Sequence, residues 1–88
     1  SYGLTSQMRR AAISAPSNIA EGAAGRSSDQ FRHFLSIAIG SLNELNTQFE
    51  IALRIGYLKQ EDYSLAQKLL DECLAVTFGL KRSLSKVI

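Results

Sequence analysis

The sequence has little of what disulfide-linked, metal-binding or membrane-spanning proteins require. Its 88 residues include one cysteine, one histidine and no tryptophan. A single thiol excludes an internal disulfide and leaves no paired ligands for a zinc or redox motif. No apolar run approaches the roughly 20 residues that cross a bilayer, and the first residues lack signal-peptide character. The sequence therefore favours a cytoplasmic protein without membrane contact.

The chain also has only a small excess of positive over negative charge. The formal net charge is +2, with 45% hydrophobic and 20% charged residues. The charge is far below the Lys/Arg density that by itself indicates nucleic-acid binding. The hydrophobic content is too high for a disordered chain. A chain of this length supports one core, so we expect a single domain over residues 1–88. Small helical domains often gain stability by association, which makes an oligomer an early expectation.

Apolar residues recur at helical spacing almost throughout, and no β-alternation or internal repeat is present. The spacing predicts an all-α fold of three helices, over about residues 4–23, 28–54 and 61–86. Ser27 and Gln30 fit a capping box before the second helix, and Gly56 follows its end. The short turn between the two long helices predicts that they lie antiparallel.

The third helix carries a wide apolar surface. A heptad-like seam runs along it, and Leu69 and Val76 broaden this seam. Cys73 falls on the seam, so we expect it to be a small buried residue rather than a reactive thiol. An apolar arc of this width predicts close packing with neighbouring helices.

The single proline, Pro16, lies within the stretch "RRAAISAPSNIAEG". Two interpretations are open: one helix kinked at Pro16, or a break with a new start at Pro16 or Asn18. A new start would use Ala15 as a poor cap, or would leave a helix from Asn18 that meets Gly22 almost at once. The small and polar faces continue through Pro16 without a change of phase, which favours the kinked helix.

No arrangement of residues indicates catalysis. His33 lies one helical turn after Asp29, and the two are expected to form a surface pair rather than a catalytic or metal site. The segment "EGAAGRSS" lacks the lysine and hydroxyl spacing of a phosphate loop, so it is interpreted as a flexible turn. The remaining charges fit ordinary i,i+4 ion pairs, Glu50–Arg54 and Lys68–Glu72. We therefore expect no enzyme, no metal and no cofactor.

Four arginines near the first helix and the following turn remain to be explained: Arg9, Arg10, Arg26 and Arg32. Arginine is favoured both in ion pairs, for instance with Glu21 of a neighbouring chain, and in phosphate contacts. The sequence leaves these two interpretations equal. Lys81, Arg82 and Lys86 at the end of the third helix complement the helix dipole, an explanation that is favoured over a binding role.

Two long segments carry a family resemblance. The stretch "GLTSQMRRAAISAPSNIAEG", followed by "FRHFLSIAIGSLNELNTQFEIALRIGYL", resembles the bacterial four-helix-bundle protein family. Its members include proteins encoded in intervening sequences of 23S rRNA genes, and it is similar to the accessory protein of diversity-generating retroelements. The match spans residues 3–58. The chain departs from the family pattern at Ala15 and in the "AAG" of the turn.

The resemblance implies an up-and-down antiparallel four-helix bundle that assembles into a homopentamer and is not an enzyme. The family's first helix is missing here, which gives the expectation that this chain begins inside a longer protein. The resemblance also implies binding of RNA or DNA, and of a protein partner such as a reverse transcriptase. The matching signature positions expected to be structural or at subunit interfaces are Pro16, Asn18, Glu21, Gly22, Phe34, Ser41 and Glu44.

Two functional hypotheses follow. The first is an oligomeric scaffold that binds RNA or DNA weakly through Arg9, Arg10, Arg26 and Arg32, with an affinity that falls steeply with salt. The second is a protein-interaction scaffold without nucleic-acid binding, which docks a partner helix through exposed apolar residues such as Phe34 and Ile37.

Overall fold

The computed structural model describes residues 2–85 and confirms an all-helical chain within that range. Helix α1 spans Tyr2–Ala23, α2 spans Ser28–Arg54 and α3 spans Gln60–Ser85. Helix α1 therefore begins two residues earlier than the apolar spacing predicts, and α3 begins one residue earlier. The predicted end of the third helix at Lys86 lies outside the described residues.

The start of α2 is held by a complete capping box. The backbone N–H of Gln30 donates to Ser27 Oγ, and the Gln30 side chain accepts from the Ser27 N–H, each over 3.2 Å. Its end is followed by Gly56, which adopts a φ of +80° that side chains disfavour. The backbone N–H of Tyr57 then donates to the carbonyl of Ala52 over 2.9 Å, which closes the turn into α3.

Helix α1 passes through Pro16 and continues to Ala23. The absence of a break agrees with the two faces that run through the proline in the sequence. Pro16 has no N–H to donate to the carbonyl of Ala12, so α1 lacks one backbone hydrogen bond at this point.

The central helix, α2, packs against both of the others. Gly22 near the end of α1 lies against Phe31 near the start of α2, and Ser14 lies further along against Ser41. The Arg32 guanidinium donates to Ser85 at the end of α3. Both neighbours therefore run antiparallel to α2. Within the described residues, α1 and α3 make no close backbone contact with each other. The three helices form one elongated layer, with extents of 48 × 22 × 13 Å.

The core lies along α2 and is small. Leu35 and Ala38 are completely buried, and the remaining buried apolar residues are Ala11, Ala15, Ile39, Leu42, Leu45, Ala52 and Leu70. Helix α3 contributes only Leu70 to this set, although its sequence is rich in leucine. Much of the apolar surface of α3 is therefore left uncovered by α1 and α2.

Candidate functional site

An open apolar groove of about 690 Å³ runs between α1 and α3, above α2. Its floor is formed by Leu42, Leu45 and Phe49 of α2. Small residues form the α1 wall: Ala12, Ala15, Pro16 and Ile19. Larger ones dominate the α3 wall, which comprises Ala66, Leu69, Leu70, Glu72, Cys73, Val76 and Thr77. The groove exists because α1 and α3 each contact α2 but not one another.

The α3 wall exposes large apolar side chains that neither α1 nor α2 covers. Leu69 is 53% exposed and Val76 is 72% exposed. Their spacing of seven residues places them on one face of α3, beside the face that packs on α2 through Leu70 and Thr77. The sequence signal for this second face was the broadened seam, but the seam does not show which part of it is covered.

Cys73 lies on this exposed wall, so the expectation that it is buried is wrong. The physical reason is the orientation of α3. Leu70 and Thr77 turn towards α2, and Cys73 is offset from Leu70 by about 60° around the helix axis, so it lies at the groove-side edge of this face, where α2 does not cover the thiol.

A polar seam joins α1 to α2 outside the groove. Ser41 Oγ donates to Ser14 Oγ over 2.8 Å, and Asn18 Nδ2 donates to the Ser14 carbonyl over 2.9 Å. Further along α2, the Gln48 side chain donates to Glu44 Oε1 over 3.2 Å. Ser41 therefore joins α1 to α2 within one chain, Asn18 holds Ser14 from within α1, and Glu44 accepts a hydrogen bond from a buried side chain of its own helix.

Helices α1 and α2 approach each other closely at Gly22. A Cβ at this position would lie 2.8 Å from Cδ1 of Phe31 and 2.8 Å from Cβ of Phe34, closer than real side chains approach each other. Phe34 also lies beneath a guanidinium, since the Arg26 group is 4.9 Å from its ring centroid. Phe34 is consequently half-buried in the α1–α2 contact and is not a free docking residue. Ile37, the other apolar residue of that hypothesis, is exposed on α2.

The structure does not bring the four arginines together. Arg26 forms an ion pair with Glu21 of the same chain, and Arg32 forms one with Asp29. Arg9 and Arg10 lie in the first half of α1, roughly 20 Å before its end at the helical rise of about 1.5 Å per residue. Both are exposed and neither pairs with a carboxylate in the described range.

Arg9 and Arg10 also lie on different faces of α1. The Arg10 guanidinium donates to Ser6 Oγ over 3.4 Å, on the polar face. Arg9 precedes Ala12 by three residues and Pro16 by seven, the spacing of one helix face, and both of those residues line the groove.

The other predicted pairs of charged residues are not formed. Asp29 pairs with Arg32 rather than His33, whose ring instead meets Phe34 edge-on at a centroid distance of 5.7 Å. The expected pairs Glu50–Arg54 and Lys68–Glu72 are absent from the described residues. Ion pairs between exposed side chains contribute little free energy, so sequence spacing alone does not determine which of them form.

No cluster that could hold a metal is present between residues 2 and 85, since no three metal-ligating side chains converge there. Over the same range, no helix combines the length and apolar character needed to cross a bilayer.

Comparison with known proteins identifies the family. The family model described as 23S rRNA-intervening sequence protein matches residues 1–79. The chain belongs to this 23S rRNA-intervening sequence protein family. The match extends the resemblance of residues 3–58 into α3, so it covers α1, α2 and most of α3. No curated protein matches the chain. The family description names no enzymatic activity.

Proposed function

We propose that this member of the 23S rRNA-intervening sequence protein family is a non-enzymatic, cytoplasmic scaffold whose groove binds an amphipathic helix. The observation that carries the proposal is the uncovered α3 wall, where Leu69 and Val76 are exposed beside an apolar floor. A helix laid into such a groove removes apolar surface from water at about 25 cal/mol per Å².

The proposed occupant completes an up-and-down four-helix bundle. In that arrangement each helix contacts two neighbours, and α1 and α3 are the two that lack a second neighbour. In this proposal the fourth position belongs to the family's first helix, which would run antiparallel to both α1 and α3. The completed bundle is proposed to assemble into a homopentamer, with the faces of α1 and α2 away from the groove available for subunit contacts.

The test uses the variant Val76→Asp, with Ala75→Asp as its matched control. Both residues are exposed neighbours on α3, but only Val76 lines the groove. The probe is a synthetic three-heptad helical peptide with leucine at its apolar positions, and binding is measured by fluorescence anisotropy. Val76→Asp should weaken binding at least tenfold, whereas Ala75→Asp should leave it unchanged.

A second readout uses the thiol of Cys73, which lies in the groove. A bound helix should slow its alkylation. Equal binding by both variants, or no protection of Cys73, would show that the groove is not the docking site. Light scattering on the same variants tests a further outcome: an oligomer that dissociates in Val76→Asp alone would mean that a second copy fills the groove.

Weak binding of RNA or DNA is the second candidate function, because Arg9 and Arg10 are exposed without carboxylate partners. Arg26 and Arg32 are already paired, so they would contribute less to phosphate binding than Arg10. Arg10→Glu should lower the affinity for mixed RNA at low salt, and Arg54→Glu is the control on an exposed arginine elsewhere. Undetectable RNA binding by the intact oligomer would remove this candidate.

A further inference from the structure

The two walls of the groove differ in charge as well as in size. Glu72 is the charged residue among those that line the groove, and it belongs to the α3 wall. Its spacing from Leu69 and Val76, three residues before and four after, keeps it on the exposed apolar face of α3. Arg9 does not itself line the groove, but it lies three residues before Ala12 and seven before Pro16, which places it at the outer edge of the α1 wall.

Both charges are available to a ligand. Arg9 and Glu72 are exposed, and neither forms an ion pair within the described residues. Among the neighbouring charged residues, Arg10 bonds to Ser6, and Asp71 accepts a hydrogen bond from Gln67 over 3.0 Å. Lys68, one turn before Glu72, is exposed and forms no ion pair in the described residues, and it does not line the groove. The groove therefore has an unpaired anion on its α3 wall and an unpaired cation at the outer edge of its α1 wall.

Arg9 and Glu72 lie at about the same height along the helix axes. Ser14 of α1 lies opposite Ser41 of α2, and Arg32 of α2 lies opposite Ser85 of α3. Counting residues along the antiparallel helices from these contacts places Arg9 and Glu72 at the height of Leu45 of α2. Their positions along the helix axis differ by no more than about one helical turn.

We infer that the groove selects an amphipathic helix that carries an acidic side chain on its edge facing α1 and a basic side chain on its edge facing α3. Arg9 and Glu72 are the residues that recognise these charges. The pattern is that of the flanking positions of a coiled coil, where charges on either side of an apolar seam choose the partner and its direction. The inference rests on the proposed function, because it requires that the groove bind a helix.

The backbone at Pro16 adds to the recognition of a helix with polar groups at this level. Pro16 leaves the Ala12 carbonyl without its usual helical donor, and Ala12 and Pro16 both line the groove. A hydrogen-bond donor from the occupant can satisfy this carbonyl.

The inference separates Arg9 from Arg10. Arg9 serves the groove, whereas Arg10 lies on the polar face and stays available for an external anion. A cluster of two adjacent arginines, which in sequence resembles a phosphate-binding pair, is thereby divided between two surfaces.

The experiment compares two three-heptad peptides with the same leucine face. One carries glutamate on one edge and lysine on the other, and the second carries glutamine on both edges. The charged peptide should bind the unaltered protein about twofold to tenfold more tightly at low salt, the effect of two partly exposed ion pairs. The advantage should shrink in 1 M salt, where the Debye length is about 3 Å.

The double variant Arg9→Gln with Glu72→Gln should abolish this preference, so that the charged peptide and the glutamine peptide bind it with equal affinity. The control is Arg10→Gln with Asp71→Gln, which removes the same two charges from adjacent positions and should keep the preference. If the unaltered protein binds both peptides equally, or if the control variant loses the preference, the recognition by Arg9 and Glu72 is refuted while groove binding stands. If neither peptide binds, groove binding fails and the inference fails with it.

Discussion

Replacing Gly22 by alanine tests the close contact between α1 and α2. The added Cβ would lie 2.8 Å from Phe31 Cδ1 and 2.8 Å from Phe34 Cβ. The Phe31 ring can rotate aside, but Phe34 Cβ is attached directly to the α2 backbone, so relief requires the two helices to separate. Overpacking of this kind costs about 1–3 kcal/mol.

The opposing effect is the better helix propensity of alanine, worth up to about 1 kcal/mol in a helix interior. Gly22 is the second-last residue of α1, where that gain is smaller. We expect Gly22→Ala to lower the free energy of unfolding by about 1–2 kcal/mol, which corresponds to a Tm lower by about 5–15 °C in a domain of this size.

The assay is thermal unfolding followed by circular dichroism at 222 nm. Gly79→Ala is the matched control, because Gly79 is exposed inside α3 and an added Cβ there meets nothing within 4 Å. This control should be stabilised by up to about 1 kcal/mol through helix propensity alone. A Gly22→Ala variant that melts at or above the unaltered protein, beside a normal control, would refute the close contact of α1 with α2.

Three further substitutions test the framework by urea unfolding. Pro16→Ala restores a backbone hydrogen bond in α1 and should raise the free energy of unfolding by about 1–3 kcal/mol, so an unchanged value would mean that the proline does not strain the helix. Leu35→Ala, at a completely buried position, should lower that free energy by about 2–5 kcal/mol, and a loss below 1 kcal/mol would contradict the burial of Leu35. Ser27→Ala removes the cap of α2 and should cost about 1 kcal/mol, whereas Ser28→Ala one residue later should cost little.

The features predicted well from the sequence are those controlled by neighbouring residues. The all-helical fold follows from apolar spacing, and the capping box of Ser27 and Gln30 follows from their separation in the chain. The family follows from two long segments of α1 and α2, and the family model confirms it.

The features that the sequence did not predict depend on how the helices are rotated against each other. The apolar arc of α3 is wide enough for two contacts, and periodicity alone gives no reason to choose which part meets α2. The apolar spacing predicts a buried Cys73, whereas the structure places Cys73 in the exposed part of the arc. The same uncertainty applies to ion pairs, since Asp29 has His33 and Arg32 within reach and the structure pairs it with Arg32.

The two apolar faces of α3 link the occupancy of the groove to the stability of the helix itself. In the described chain α3 buries Leu70 and Thr77 against α2, while Leu69 and Val76 face solvent. An isolated helix of this length is marginal in water, so α3 depends on tertiary contacts for much of its stability. A helix bound in the groove adds a second set of contacts to α3, and it stabilises the folded state by mass action, by about 2.7 kcal/mol at a hundredfold excess over Kd. A helix that fills the groove would therefore also stabilise α3, because its contacts would be made with Leu69 and Val76 of that helix.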